Sequence, residues 1–382
     1  MNTTIPYIEI SLDNLLHNLA ALRSRLPKGV DILAVVKDNA YGCGSRIIAK
    51  TLEVEGNVGF FSVSSPREAF FLRKNGIKSP ILVLGPATKL ELKKGNENNI
   101  IFTLNDINDL PVWKSAGVPV RFHSNIDTRM HRLGILPSEV PALVTSLENS
   151  DKLYFEGAFT HFANADEPGT KTVDKQLRLF NDALIFLKQH GFTPRHIHYA
   201  NSASVIRFDL PGCTFVRPGI ALYGCKPDPK QDFPLDLLSV ASLKSRIVKI
   251  KKVPADTPVS YGGRYITHFE TFIATIALGY GHGIPRSLGN RGEVLIRGKR
   301  YKIAGNITMD YLMIDAGPNP TLAVGDEVVA IGCVGNEHIS PDDIALIDNT
   351  IGYEILCRLN SSLDRVYILK GTIMSKENGK IF

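Results

Sequence analysis

From residue 11 to about residue 235, short apolar runs alternate with amphipathic stretches. The runs fall at Asp31–Lys37, Gly59–Val63, Pro80–Gly85, Ile101–Asn105, Val120–Asp127, Tyr154–His161, His196–Asn201 and Phe215–Ile220. They are short and mostly continuous in their apolar residues, as strands buried on both faces are. Helical periodicity lies between them, over Leu12–Leu26, Ser45–Glu55, Pro66–Asn75, Pro137–Leu147 and Thr172–His190. Eight strands alternating with helices predict a (β/α)8 TIM-type barrel. An open doubly wound sheet is the alternative that periodicity alone leaves standing. Its dinucleotide-binding version is disfavoured, because no G-x-G-x-x-G follows the first strand.

The pattern changes after Pro227-Asp-Pro-Lys-Gln-Asp-Phe-Pro234. Short β-branched runs broken by Gly, Pro and Asn follow: Ser245–Val253, Thr271–Leu278, Glu293–Ile296, Tyr301–Ile307, Tyr311–Ile314 and Glu327–Ile331. They predict a mainly antiparallel β domain, with short helices at Pro341–Asp348 and Ile351–Leu359. The expected division is a barrel over 11–235 and a β-rich domain over 236–382, which the strand-like Pro6–Ile10 is expected to join. A chain of 382 residues also exceeds the size at which one core stops growing.

Composition narrows the function classes. A net charge of +6 is spread thinly, and the short basic clusters lack interleaved aromatics, so no nucleic-acid partner is expected. No apolar run reaches membrane-spanning length, and Met1–Tyr7 has neither the basic nor the apolar part of a signal peptide. Five scattered cysteines with no CxxC pair argue against a disulfide framework or a zinc site. The expectation is a cytoplasmic protein with no membrane partner and no metal.

The chemistry gathers at the ends of the predicted strands, where barrel enzymes place their sites. Lys37 closes the first run. An unpaired buried ammonium is costly, whereas an amine bound covalently to pyridoxal 5'-phosphate as a Schiff base is not. Tyr41 follows it. Asn125 and Arg132 follow the fifth run, His161 the sixth, Asn201-Ser202 the seventh and Arg217-Pro-Gly219-Ile220 the eighth. The loops after strands seven and eight commonly bind phosphate in barrels. Asn201-Ser202 is expected to open a helix there with its amides toward the phosphate, and Gly219 to let a second loop come close.

Taken together these positions resemble the alanine racemase family of fold-type III pyridoxal-phosphate enzymes, over essentially the whole chain. The resemblance rests on Val36-Lys37-x-Asn39-Ala-Tyr41-Gly, Ile126-Asp-Thr-x-Met-x-Arg132-Leu-Gly134, Thr160-His161-Phe-Ala163, Asn201-Ser202 and Val216-Arg217-Pro-Gly219-Ile220-x-Leu-Tyr223. In the second domain it continues through Val259-Ser-Tyr261-Gly, Gly279-Tyr280-x-x-Gly283, Met309-Asp310 and Tyr353-Glu354. It implies racemisation of a small amino acid by two bases, Lys37 and Tyr261, on opposite faces of Cα. His161 and nearby arginines would assist Tyr261. Arg217 would face the pyridine nitrogen; being a poor proton donor, it would leave that nitrogen largely unprotonated. Tyr41, Asn201, Ser202, Gly219, Ile220 and Tyr353 would hold the cofactor. Arg132, Met309, Tyr280, Asp310 and Asn125 would contact the substrate. Tyr261 and Met309 would come from the other subunit of a homodimer.

Departures from the family pattern surround the site: Asp38, Cys43, Asn125, Arg129 and His282. Asn125 stands where a carbamylated lysine is common, so a small anion such as chloride, a carboxylate from elsewhere, or a direct Asn125–Arg132 hydrogen bond is expected to take over its role. Asn125 also keeps a serine or broad-specificity racemase open. Two further readings are weaker. A decarboxylase of this fold places an acid, not Arg217, at the pyridine nitrogen, and a non-catalytic cofactor carrier needs neither Tyr261 nor the second domain.

Overall fold

The computed structural model describes residues 5–167 and 169–379. Strand β1 (Tyr7–Ser11) precedes a helix, Leu12–Arg23, whose first turn is capped by the Ser11 hydroxyl. Eight strands then form one parallel sheet: β2 (Asp31–Val35), β3 (Phe60–Val63), β4 (Ile81–Val83), β5 (Ile100–Leu104), β6 (Val120–Asn125), β7 (Leu153–Phe159), β8 (His196–His198) and β9 (Phe215–Val216). Each pairs with the next in sequence as far as β8, and β9 returns to β2. The ring closes between β8 and β9, where Thr214 N donates to Ile197 O (2.7 Å) and Arg217 N to Ala200 O (2.8 Å). This is the barrel that the alternating pattern predicts. Its strands were legible because they are buried on both faces. Leu33, Phe60, Leu82 and Ile101 form a separate interior cluster, while Ile32, Ala34, Phe61, Ile81 and Ile100 pack outward against the helices.

The predicted helices appear as Leu12–Arg23, Ser45–Val54, Pro66–Lys74, Val140–Glu148 and Thr172–Gln189. Helices Lys89–Glu97 and Leu110–Ser115 were not predicted. The first is mostly polar and carries Gly95, which hides its period; its readable mark is the Thr88-x-x-Glu91 capping box.

Strand β10 (Ala241–Val253) is the spine of a second, ten-stranded sheet. It pairs antiparallel with β1, Thr271–Ile276 and Glu327–Val334. One pair departs from the antiparallel pattern: β1 lies parallel to Asp364–Leu369, a strand not predicted from the sequence. The predicted strand Tyr301–Ile307 shortens to Lys299–Lys302, because the chain turns at Gly305 with φ +79°. Buried Asn18 stitches the two parts together. Its amide donates to Leu222 O (3.1 Å) and Leu238 O (2.8 Å) and accepts from Leu238 N (2.8 Å).

Candidate active site

A cavity of about 540 Å³ opens at the carboxyl ends of the barrel strands. It brings together Lys37, Tyr41, Asn125, Arg132, His161, Asn201, Ser202, Arg217, Gly219, Ile220 and Tyr353, eleven of the residues singled out in the sequence.

Lys37 does not end a strand. β2 stops at Val35, and residues 38–41 form a left-handed turn with φ of 53°, 54°, 54° and 53°. The lysine side chain is 36 % exposed, with Nζ 3.9 Å from Asp38 Oδ2, so the premise of a buried ammonium is corrected. Its amine stands at the cavity wall because the chain leaves the sheet before reaching it. Four consecutive non-glycine residues in this region cost on the order of 1 kcal/mol each, and such strain persists only where surrounding structure over-determines it. Asn39 Oδ1 accepts from Ser45 N (2.9 Å), and buried Arg365 donates from Nε to Gly42 O (2.8 Å). Tyr41 packs against Tyr223, with ring centroids 4.7 Å apart.

Arg217 is buried, and among the described residues it forms no ion pair. Its Nη1 donates to His198 O and Nδ1, each at 2.8 Å, and its Nη2 to Thr160 O (2.9 Å) and His161 Nδ1 (3.2 Å). Its Cζ lies 5.0 Å over the Phe159 ring. Desolvation lowers its pKa to about 10, so at neutral pH it stays charged. Arginine can only donate, and this sets the imidazole tautomers. His161 accepts at Nδ1 and therefore carries its proton on Nε2. His198 also accepts at Nδ1, so its Nε2–H donates to His123 Nδ1 at 2.8 Å. Burial, reinforced by the nearby arginines, drives His161 to about 3 and holds His123 and His198 well below 6.5. All three are neutral. Sequence reasoning missed His123 and His198, which read as packing residues on strands. The available signal was Gly157 on the neighbouring strand, since a Cβ there would sit 2.7 Å from the His123 ring.

The helix expected at Asn201-Ser202 is only the four residues Ser204–Arg207, capped by Asn201 Oδ1 on Ser204 N (3.1 Å). An anion there would rely on side chains rather than on a helix end. Ser202 Oγ accepts from Gly219 N (3.0 Å) and Ala221 N (3.4 Å), joining the loops after β8 and β9 and leaving its own proton to donate. Tyr41 and Tyr353 line the same cavity, and burial raises both phenols so that they remain protonated donors. A Cβ on Gly219 would collide with the Tyr41 hydroxyl. These unspent donors, a charged buried arginine and a lysine amine fit a group carrying both a phosphate and an aldehyde on a heteroaromatic ring.

Asn125 does not bond Arg132. Its amide donates to Asn105 Oδ1 (2.9 Å) and Leu133 O (3.0 Å), because the loop after β6 folds back over it. Asp127 ties that loop down by accepting from Arg129 N (3.0 Å) and His131 N (3.1 Å), which leaves the Arg132 guanidinium at the cavity edge.

Tyr261, Tyr280, Met309 and Asp310 lie outside this cavity, on the second domain. There Asn306 Nδ2 donates to Tyr261 O (2.7 Å) and Gly281 N to Met309 O (2.9 Å). Tyr261 is 75 % exposed, Met309 56 % and Tyr280 43 %. Ser260, just before Tyr261, is held at φ +65° and ψ −177°, where its hydroxyl donates to Asn306 O (2.6 Å). Backbone strain thus flanks both residues that the sequence nominated as bases.

A parallel barrel that gathers Lys37, Arg132 and Arg217 at one mouth defines a class of barrel enzymes suited to anionic ligands at the carboxyl ends of their strands. Residues 10–227 match the alanine racemase N-terminal domain and residues 240–367 the alanine racemase C-terminal domain. The chain is 38 % identical over 372 residues to an alanine racemase of Geobacter sulfurreducens, covering 94 % of this chain and 96 % of that one. It is 38 % identical over 377 residues to alanine racemase 2 of Bacillus subtilis, covering 96 % and 95 %. Among solved structures, the Bacillus anthracis alanine racemase with bound L-Ala-P superposes with a TM-score of 0.89 at 36 % identity, over 98 % of this chain and 97 % of that one. The Clostridium difficile enzyme gives 0.91 at 32 %, covering all of both chains. The chain belongs to the alanine racemase family.

Proposed function

We propose that this enzyme interconverts L- and D-alanine with pyridoxal 5'-phosphate as cofactor, supplying D-alanine for peptidoglycan in the cytoplasm. The observation that carries the reading is one cavity holding the Lys37 amine, the carboxylate-free Arg217 and the unspent donors of Tyr41, Ser202 and Tyr353. Bound through Lys37, the cofactor supplies an electron-withdrawing ring that makes the substrate's Cα proton removable. Lys37 moves that proton on one face, and Tyr261 of a second copy moves it on the other. The exposure of Tyr261, Met309, Tyr280 and Asp310 in a single chain supports a homodimer with shared sites. His161, neutral with its proton on Nε2, serves as a donor toward the phenol oxygen, which favours the ionised tyrosine. Arg217, whose pKa of about 10 lies far above neutrality, would keep its full charge toward the cofactor and deliver no proton to it. Arg132 at the cavity edge receives the substrate carboxylate. No helix among the described residues is long and apolar enough to cross a membrane.

The test is an exchange assay on purified protein with both enantiomers of Ala, Ser, Lys and Arg, followed by borohydride reduction and peptide mapping. Racemisation of alanine with the pyridoxyl group on Lys37 is expected. Preference for serine or a basic amino acid would move the substrate assignment, and a label away from Lys37 would overturn the cofactor site.

A further inference from the structure

Glu68 lies outside the cavity and belongs to no motif that the sequence singled out. It sits in the first turn of the helix Pro66–Lys74, and its two carboxylate oxygens have different duties. Oε2 accepts four hydrogen bonds: from Ser64 N (3.0 Å), Ser64 Oγ (2.6 Å), Ser65 N (3.0 Å) and Ser65 Oγ (3.2 Å). Together with the Ser65 hydroxyl on Glu68 N, these form a capping box, a common way to start a helix. Oε1 accepts one bond, from the Asp38 backbone N–H at 2.6 Å. That amide is the first of the left-handed turn and directly follows Lys37. Ser64 lines the same cavity as Lys37, so one carboxylate ties together two walls of the site, at the ends of β2 and β3.

A helix cap needs only one of those oxygens, as the neighbouring helix shows. Its Glu91 caps Thr88 through Oε2 alone, accepting from Thr88 N and Oγ1 at 2.8 Å each, and reaches nothing in the site. The extra bond at Glu68 falls on the turn that holds its residues in the left-handed region, where outside support decides whether the conformation persists.

We propose that Glu68 is a positioning residue for Lys37: through the Asp38 amide it holds the left-handed turn that aims the lysine amine into the cavity. The inference rests on the role given to Lys37 above. Its test separates cap from clamp. In Glu68→Gln the amide oxygen takes the place of Oε2 and keeps the serine donors, while the amide nitrogen faces the Asp38 N–H, donor against donor. Glu91→Gln is the matched control for altering a cap. Hydrogen exchange of the holoenzyme should rise at least ~10-fold in the peptide spanning residues 37–44 of Glu68→Gln, the opening expected when the bond securing a strained turn is lost. The peptide 66–75 should keep its protection, and Glu91→Gln should match the wild type in both. Turnover of Glu68→Gln should fall at least ~10-fold, as small misplacements of a reacting group do, with KM for alanine little changed. Cα-hydrogen exchange should slow more from one enantiomer than from the other, because only one face belongs to Lys37. Wild-type protection of residues 37–44 in Glu68→Gln overturns the clamp, as does equal loosening of 37–44 and 66–75. Raised exchange with unchanged turnover overturns the link to Lys37 while leaving the racemase reading intact. Amide exchange does not depend on what the enzyme turns over, so a failure of that reading would show in the substrate assay instead.

Discussion

Acidification should destabilise this protein earlier and more steeply than its carboxylates require, because three imidazoles are held neutral around Arg217. His161 is the one that can be worked numerically. Desolvation, helped by the charges of Arg217, Arg132 and Lys37, takes it to about 3, against ~6.5 in the unfolded chain. A histidine with a depressed folded pKa contributes stability above its unfolded value and loses it as pH falls toward the folded one. At pH 5 the unfolded His161 is almost fully protonated while the folded one is not, so moving from pH 7 to pH 5 costs about 2 kcal/mol from this residue alone. His123 and His198 lie well below 6.5 and add losses of the same sign. Asp342, raised to about 6 by burial, binds a proton in the folded state and offsets about 1 kcal/mol over the same interval. His161 less Asp342 leaves about 1 kcal/mol, and His123 and His198 add to it in the same direction, so stability should fall by more than ~1 kcal/mol between pH 7 and pH 5. Urea unfolding at the two pH values reads it, with His161→Gln as the comparison, whose pH dependence should be shallower by about 2 kcal/mol. A wild-type stability flat to within ~1 kcal/mol, or a full pH dependence in His161→Gln, would refute the assignment of neutral buried imidazoles.

Tyr261→Phe should lose at least ~10²-fold in racemisation with no loss of thermal stability in the monomer, since the ring is exposed; symmetric, wild-type-like Cα exchange from both enantiomers would exclude Tyr261 as a base. Gly219→Ala should cost about 1–3 kcal/mol of stability by forcing a methyl against the Tyr41 hydroxyl. It should also weaken cofactor binding in a pyridoxal phosphate titration, and unchanged binding would remove Gly219 from the cofactor site. Because Asn125 spends its amide on Asn105 and Leu133, a small anion is expected beside Arg132; activity should then respond when chloride is exchanged for a bulky anion at constant ionic strength, and a flat response rules the anion out.

The barrel was legible because parallel strands buried on both faces must be continuous apolar runs, and nothing else in the chain repeats that pattern so regularly. Strand ends were not, because at the mouth of a barrel the apolar run passes straight into the site. Asp31–Lys37 reads as one strand, yet its last two residues already belong to the departure toward the left-handed turn. Of Asp38-Asn39-Ala40-Tyr41 only Asn39 and Asp38 hint at such a turn, and Ala40 and Tyr41 argue against it. The conformation is imposed from elsewhere, by Glu68, Ser45 and Arg365, whose partners lie 30, 6 and 323 residues away. The same reasoning separates the two halves of the site. Cavity residues such as Arg217 and His161 could be found by asking which polar groups end core strands, since one chain must account for them. The side chains of Tyr261, Met309 and Tyr280 stand largely exposed in a single chain, so no packing argument could nominate them, and only the resemblance did. What the structure adds is a physical reason to take that nomination seriously. Half-buried Ser260 is held in a costly conformation in which its hydroxyl is spent on Asn306 O (2.6 Å), the residue that also holds Tyr261 O. That strain lies beside the solvent-facing phenol that the proposed homodimer would place in a second copy's cavity.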